Sequence, residues 1–352
     1  MSDRLIGKEV VIKNASVAGI VSCVPPRVIQ NEYFNSWFKS SEIEAVSQVT
    51  GVHSRRWVDS HTTTADLCFQ ASKRLLSNLE WSPDSIDCLI FVSQTPDYKL
   101  PSTSCVLQNR LDLPNECISF DLNLGCSGYP YALWLGMTLI QSKAVKRVLL
   151  AVGDTISKVI DPEDRSTAML FGDAASVTAI EWTDDLKNTS YFIMGTDGKG
   201  SESLIIPQGG SRYAESNNLK PSSKYLFMDG PNVFNFTLKT VPLLIEQTME
   251  LSKKSLDDYD YILFHQANLF ILNHFLKKMN ISAAKSPINI DEYGNTSSAS
   301  IPLLITTRIQ HKLKEKNNYI AMFGFGVGFS WASACLSFNP NIILDCITYE
   351  PL

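Results

Sequence analysis

None of the eight cysteines stands two residues from another in a CxxC pair, which weighs against a structural zinc site. The stretch from Met1 to Asn14 has no apolar core of the kind an export signal carries, being interrupted by Asp3, Arg4, Lys8, Glu9 and Lys13. A signal peptide is therefore not expected there. On that reading the cysteines are free thiols in a reducing cytoplasm. No block of basic residues occurs, and the net charge is −5 with both signs interspersed, so a nucleic-acid partner is not expected. There is no low-complexity tract to suggest disorder. Histidine is scarce, with five in 352 residues.

Charge is missing from two long runs, Leu122 to Ser142 and Tyr319 to Phe338. Each is about long enough to span a bilayer. Both contain several Gly and Ser, the first holds Asn123 and Pro130, and the second breaks at Gly324-Phe-Gly-Val-Gly328. Both read as buried core elements, and no membrane span is expected.

What is present is a chain that is 44% hydrophobic, enough for one large domain or two fused halves. Short apolar runs suggest strands at Val17–Val24, Cys88–Ser93, Cys117–Leu122, Arg147–Val152, Ser176–Trp182, Tyr261–His265, Tyr319–Phe323 and Phe329–Phe338. Longer patterns suggest helices at Thr64–Leu79, Ser127–Ser142, Pro231–Ser255, Leu269–Met279 and Ser298–Leu313. Their alternation points to an α/β protein with helices covering sheets. A faint internal echo sets Asp87 and the run after it against Asp260, and Arg147–Gly153 against Asn318–Gly324. It divides the chain into similar halves, 1–184 and 185–352, with the boundary in the polar stretch near Glu181–Asn188.

Cys126 lies where a buried strand, a tight turn and a helix follow one another, flanked by Gly125 and Gly128. A helix start carries partial positive charge and free N–H groups, which favour thiolate. Taken alone, Cys126 also fits an inert core cysteine. His265 ends an apolar run and precedes Gln266-Ala-Asn268, a place from which it could reach a cleft, although a single histidine is more often structural. Asn295, in Tyr293-Gly-Asn-Thr-Ser-Ser-Ala-Ser300, reads by itself as a turn or cap. The glycine turn Gly324-Phe-Gly-Val-Gly-Phe329 can aim backbone N–H groups at an oxyanion, or be an ordinary turn.

Six motifs taken in order resolve these separate readings: Asp121-Leu-Asn-Leu-Gly-Cys-Ser-Gly128, Asp164-Arg-Ser-Thr167, Phe171-Gly-Asp-Ala-Ala-Ser176, His265-Gln-Ala-Asn-Leu269, Gly294-Asn-Thr-Ser297 and Gly326-Val-Gly-Phe-Ser-Trp331. Together they resemble the β-ketoacyl-acyl carrier protein synthase III family of the thiolase superfamily, over nearly the whole chain. The resemblance implies a thiolase fold, two similar α/β halves in an α-β-α-β-α layering, the first carrying the nucleophile and the second His265, Asn295 and the oxyanion turn.

It further implies that Cys126 is acylated, that His265 and Asn295 handle a malonyl thioester, and that the backbone N–H groups of Cys126 and Val327 form the oxyanion hole. Phe171, Phe325 and Leu100 fall where the family lines its acyl pocket, Leu100 coming from the partner of a homodimer. Arg165 and Asn268 fall along the substrate tunnel, Arg165 at the coenzyme A nucleotide. The implied partners are acyl-CoA or acyl carrier protein, the implied reaction is a decarboxylative condensation in the cytoplasm, and no cofactor or metal is expected. Where the family often has a tryptophan and an arginine for the adenine, this chain has Ala45 and Val49. A docking arginine is replaced by Phe270, while Lys277 and Lys278 keep basic character nearby. Three other readings stand beside it: a non-condensing acyltransferase of the same fold, a papain-like cysteine hydrolase, and a silent scaffold. The pair His265 and Asn295 favours condensation, since simple transfer needs no enolate stabiliser.

Overall fold

Runs rich in Val, Ile, Leu and Phe favour strands because branched and aromatic side chains pack on a pleated surface. In the computed structural model, which describes residues 6–185, 188–213 and 221–351, they build two mixed sheets. The strands are β1 (Lys8–Lys13), β2 (Ala15–Val24), β3 (Cys88–Val92), β4 (Ile118–Leu122), β5 (Arg147–Asp154), β6 (Ala174–Trp182), β7 (Thr189–Thr196), β8 (Tyr261–Phe264), β9 (Asn318–Gly326), β10 (Ser330–Phe338) and β11 (Ile343–Thr348). A six-stranded sheet has the order β11-β2-β6-β5-β3-β4, and a five-stranded sheet the order β1-β7-β10-β9-β8.

The two sheets share a plan. In the first, β3 runs parallel to β5, and β5–β6 and β6–β2 are antiparallel. In the second, β8 runs parallel to β9, and β9–β10 and β10–β7 are antiparallel. The aspartates of the sequence echo occupy matching places. Asp87 Oδ2 accepts from the N–H groups of Lys146 (2.7 Å) and Arg147 (2.9 Å). Asp260 Oδ2 accepts from the Tyr319 N–H (2.8 Å), and its Oδ1 from Lys316 Nζ (2.6 Å). Each carboxylate ties the start of one strand to the start of its parallel neighbour.

The helices that matter here are α1 (Ser40–Thr50), α2 (Thr64–Leu79), α3 (Thr103–Arg110), α4 (Gly128–Gln141), α5 (Gly230–Ser252) and α6 (Leu269–Lys278). Helix α4 has no charged residue and buries Tyr129, Leu133, Met137 and Ile140 in one core with Val148 and Leu150 of the first sheet and Ala332 and Ala334 of the second. A helix apolar on all sides belongs in an interior. Ile301, Leu304, Ile305 and Ile309 join the same core. On the outer face of the first sheet, α2 and α3 bring Leu75 and Leu107 against Leu89 and Val177. On that of the second, α5 and α6 bring Ile245 and Phe275 against Ile262 and Phe323. The result is the expected α-β-α-β-α layering.

Three details differ from the sequence reading. The helix expected over Ser298–Leu313 is α-helical at Ser300–Leu304, widens to a π turn at Ile305–Ile309 and closes at Gln310–Leu313. Thr306 Oγ1 lies 3.2 Å from the carbonyl oxygens of both Pro302 and Leu303 and 2.8 Å from Ser22 Oγ, a side-chain intrusion of the kind that interrupts a helical ladder. Strands β1, β7 and β11 were not anticipated. Strand β1 pairs with β7 in the second sheet, and β11 pairs with β2 in the first, so the two chain ends cross between the halves. The division at 184/185 falls between β6 and β7; of the polar stretch there, residues 186 and 187 lie outside the described residues. Among the described residues no helix is long and apolar enough to cross a membrane.

Removing the Asp87 carboxylate leaves two backbone donors without their acceptor at the start of the inner strand β5. Asp87→Ala is expected to lower unfolding stability by about 1–3 kcal/mol, and Asp87→Asn, which keeps an acceptor, by less. Urea unfolding of the two variants beside the parent checks the order.

Candidate active site

Strand β4 and helix α4 meet in a turn that carries Cys126. Asp121, near the end of β4, faces the other way: its carboxylate accepts from the N–H groups of Thr103 (2.7 Å) and Ser104 (2.8 Å) and caps α3. The start of α4 is fixed to the second sheet by a 2.6 Å contact between Ser127 Oγ and Ser330 Oγ. The end of β9 then passes directly over Cys126. A Cβ at Gly326 would lie 2.7 Å from Cys126 Cβ and 3.0 Å from its Sγ, so only glycine allows this approach. The turn after Gly326 brings the Val327 N–H to the same sulfur, as does the N–H of Cys126 itself. Neither N–H has a backbone acceptor among the described residues.

His265 follows β8 and is buried. Its Nδ1 lies 2.7 Å from Ser300 Oγ. Asn295 is held by backbone: its N–H donates to the Leu170 carbonyl (2.9 Å) and its carbonyl accepts from the Gly172 N–H (3.1 Å), a bridge to Phe171. The Asn295 Oδ1 accepts from the Ser297 N–H at 3.0 Å. That bond sets which way the amide points and leaves the two Nδ2 donors without a protein partner among the described residues.

Cys126, His265 and Asn295 all line one cavity of about 330 Å³, together with Phe171, Phe325 and Asn268. Val49 and Phe270, 55% and 54% exposed, border it. A second cavity of about 780 Å³ also reaches Cys126 and includes Val327 and Ser297. Phe171 and Leu204 line both.

Burial governs the charges. It pushes the Cys126 thiol up to about 12, the buried carboxylate of Asp154 adding to the effect and the Ser297 hydroxyl and the two N–H groups opposing it. The partial charge at a helix start, about 0.3–1 kcal/mol, does not reverse a shift of that size. The thiolate expected from the sequence is therefore not the resting state. Burial also pushes His265 down to about 3, only partly offset by a hydrogen bond with the Ser297 backbone, so its ring is neutral near pH 7. Asp154 is raised by burial although Ser93 Oγ, the Gln94 N–H and Thr95 Oγ1 all donate to it.

The remaining residues singled out from the sequence lie further away. Asn268 lines the first cavity while its Oδ1 caps α6 by accepting from the Ile271 N–H at 2.8 Å. Arg165 lies outside both cavities and pairs with Glu42 of α1 at 2.9 Å. Lys277 and Lys278 are exposed on the last turn of α6. Leu100 is 83% exposed and lines neither cavity of its own chain. Sequence reasoning missed Ser297, Ser300 and Asp154. The serine-rich run Thr296–Ser300 marks a helix start in the sequence, but its composition does not tell which serine faces histidine. Among the described residues no group of three or more His, Cys, Asp or Glu is placed to hold a metal ion.

Two family models match the chain: 3-oxoacyl-[acyl-carrier-protein] synthase III over residues 120–198, and the C-terminal part of that synthase over 249–338. The β-ketoacyl-[acyl-carrier-protein] synthase III of Clostridium perfringens is 33% identical over 325 residues, covering 92% of this chain and 99% of that protein. The enzyme of that name from Streptococcus gordonii is 35% identical over 326 residues, covering 92% and 98%. A crystal structure of a 3-oxoacyl-(acyl-carrier protein) synthase from Burkholderia xenovorans superposes with a TM-score of 0.93 at 52% identity, covering 98% of this chain and 99% of that one.

A buried, protonated thiol has a definite pH signature. Alkylation of Cys126 by iodoacetamide is expected to rise about tenfold per pH unit from pH 7 to pH 9. The rate is followed by peptide mass spectrometry at Cys126. A plateau near pH 7 would show a resting thiolate instead.

Proposed function

The chain belongs to the 3-oxoacyl-[acyl-carrier-protein] synthase III family, and on that premise we propose that it joins an acyl group held on Cys126 to a malonyl thioester, releasing carbon dioxide and a 3-oxoacyl thioester. The observation that carries the reading is that two cavities meet at Cys126, with His265 and Asn295 on one of them only. A condensing enzyme needs that division: a place for the bound acyl chain, and a separate place where the second thioester becomes an enolate. The family likeness spans nearly the whole chain and displaces the papain-like reading.

In the first half-reaction, Cys126 Sγ bonds to the acyl carbonyl carbon and the donor's C–S bond breaks. The proton that leaves Cys126 ends on the departing thiol. The N–H groups of Cys126 and Val327 receive the oxyanion, and losing one such donor costs on the order of a hundredfold in rate. In the second, the malonyl C–C bond to its carboxylate breaks, carbon dioxide departs and the electron pair becomes an enolate. With the Ser300 hydroxyl donating to Nδ1, the neutral His265 ring carries its proton on Nε2. That N–H and Asn295 Nδ2 then donate to the enolate oxygen. The enolate carbon attacks the acyl carbonyl and the Cys126 sulfur leaves as thiolate. The cysteine and the thioesters supply the reactivity, so the scheme asks for no metal or organic cofactor. Transfer of the acyl group to a hydroxyl or amine would need neither enolate donor, and the presence of both supports condensation.

The partners that fit are acyl-CoA or acyl carrier protein. Exposed Lys277 and Lys278 on α6 suit an acidic carrier near the Phe270 border of the first cavity. Arg165 can reach a nucleotide phosphate at low cost, since an exposed ion pair such as Arg165–Glu42 is worth about 0–1 kcal/mol. A homodimer would give the exposed Leu100 a partner's cavity to enter, and a cytoplasmic setting suits the free cysteines.

Cys126→Ser is expected to abolish the acyl-enzyme with the fold retained, read by intact mass after exposure to a panel of acyl thioesters. An adduct acquired on another residue of that variant would sink the assignment. His265→Ala and Asn295→Ala should leave acylation largely intact and suppress malonyl decarboxylation, followed by release of labelled carbon dioxide. Loss of acylation with decarboxylation kept would reverse the roles.

Ala45 and Val49 offer neither an aromatic face nor a charge to an adenine. A stacking contact is worth about 0.5–1.5 kcal/mol and an exposed charge pair about 0.2–1 kcal/mol. Donors on coenzyme A are thus expected to be weakened roughly three- to sixty-fold relative to a chain with both groups. The check compares acylation of Cys126 by one acyl group carried on coenzyme A, on a carrier protein and on bare pantetheine. A large advantage of coenzyme A over pantetheine would show that the nucleotide is still gripped.

A further inference from the structure

The second cavity at Cys126 has a wall that the condensation scheme leaves unused. Neither His265 nor Asn295 lines this cavity. With the enolate formed in the first cavity, the acyl chain on Cys126 must extend into the second. This step rests on the proposed role of Cys126. A plain hydrocarbon chain would be matched by aliphatic walls, and Ile156, Phe171 and Leu204 supply some. Beside Gly125, the residue before Cys126, however, stands Gln94.

Gln94 follows β3, and its side chain lies against the turn that holds the nucleophile. A Cβ at Gly125 would fall 2.3 Å from Gln94 Oε1 and 2.8 Å from Val327 Cγ1. The amide thus sits within one residue of Cys126 and against the oxyanion turn. Its backbone N–H is taken by Asp154 at 2.7 Å, which anchors the residue. Its side-chain amide has no hydrogen-bond partner among the described residues and lines the cavity with Asn123 and Thr155. An acyl chain entering there displaces the water that would otherwise serve this amide. A saturated chain leaves the amide unpaired, and a chain with a hydroxyl group restores the bond. Sites that must satisfy a polar group discriminate against the analogue lacking it.

We propose that Gln94 selects an acyl group with a hydrogen-bonding substituent, of the hydroxyacyl class, over the plain saturated acyl group of equal length. The amide can accept from the substrate hydroxyl through Oε1 or donate to it through Nε2. No bond beyond those of the acyl transfer is made or broken.

The experiment is competition for Cys126 between butyryl and each of 2-, 3- and 4-hydroxybutyryl, all as pantetheine thioesters, read by intact mass at early times. The full chain is expected to favour at least one hydroxybutyryl isomer about tenfold, the scale of one hydrogen bond. Gln94→Leu, nearly equal in size, should bring that ratio to about one, chiefly by gaining butyryl transfer. Should Gln94→Leu fail to fold, Gln94→Met takes its place. A ratio at or below one for all three isomers in the unmodified protein overturns the proposal. So does a preference that survives loss of the amide. Butyryl transfer without hydroxyacyl preference leaves the condensing reading intact and removes only this inference. Silence of Cys126 towards every thioester removes both.

Discussion

The architecture depends on helix α4, which carries no charged residue, and on the apolar side of Ser300–Leu313, both packed between two sheets. Helix α4 has no charged face to offer water, so it needs a sheet on both sides. Once the sheets close on them, the ends of β4, β8 and β9 converge on one small region. Gly326 lets the last approach happen, because any side chain there would occupy the space of Cys126 Cβ. Cys126, His265 and the turn after Gly326 therefore come together as a result of core packing, on elements from both halves.

The same burial sets the electrostatics. A thiol and an imidazole enclosed by apolar walls both lose charge: the thiol keeps its proton and the ring does not gain one. A neutral ring suits a donor to an enolate better than a permanent cation would, because it does not hold the malonyl carboxylate in place. Asp154, buried and near Cys126, raises the thiol further. Its own carboxylate is held by Ser93, Gln94 and Thr95, which fixes the strand end that carries Gln94.

Much of this was legible in the residues. Strand and helix signals located the central pieces of both sheets, because buried parallel strands are near-continuous apolar runs. Cys126, His265 and Asn295 each lie at a junction, but alone each also fitted a structural role; six motifs in order, and the family they resemble, singled them out. Strands β1 and β11 were not legible: KEVVIK and ILDCIT are short and partly polar, and only their pairing partners make them strands. Ser297 and Ser300 were read as cap residues, which their composition suits equally well. Aspartates within the motifs proved to be brackets: Asp121 caps α3, and Asp173 accepts from Val58 and Ser157 N–H groups. Sequence spacing does not distinguish a carboxylate that holds a loop from one that faces a substrate.

The crossing of the chain ends has a consequence for how the protein is made. The first sheet is not complete until β11, near the end of the chain, pairs with β2 near its beginning. On a ribosome, where folding ordinarily proceeds from the first domain synthesised, the leading half of this chain must wait with the β2 edge uncovered. Meanwhile β1 has no sheet to join until β7 emerges. Synthesis thus leaves β1 unpaired until about half of these residues are made and the β2 edge uncovered until β11 is made, the kind of surface to which other chains can add. The clasp that joins the two halves in the finished protein makes its birth a period of exposure, ended only by the last strand.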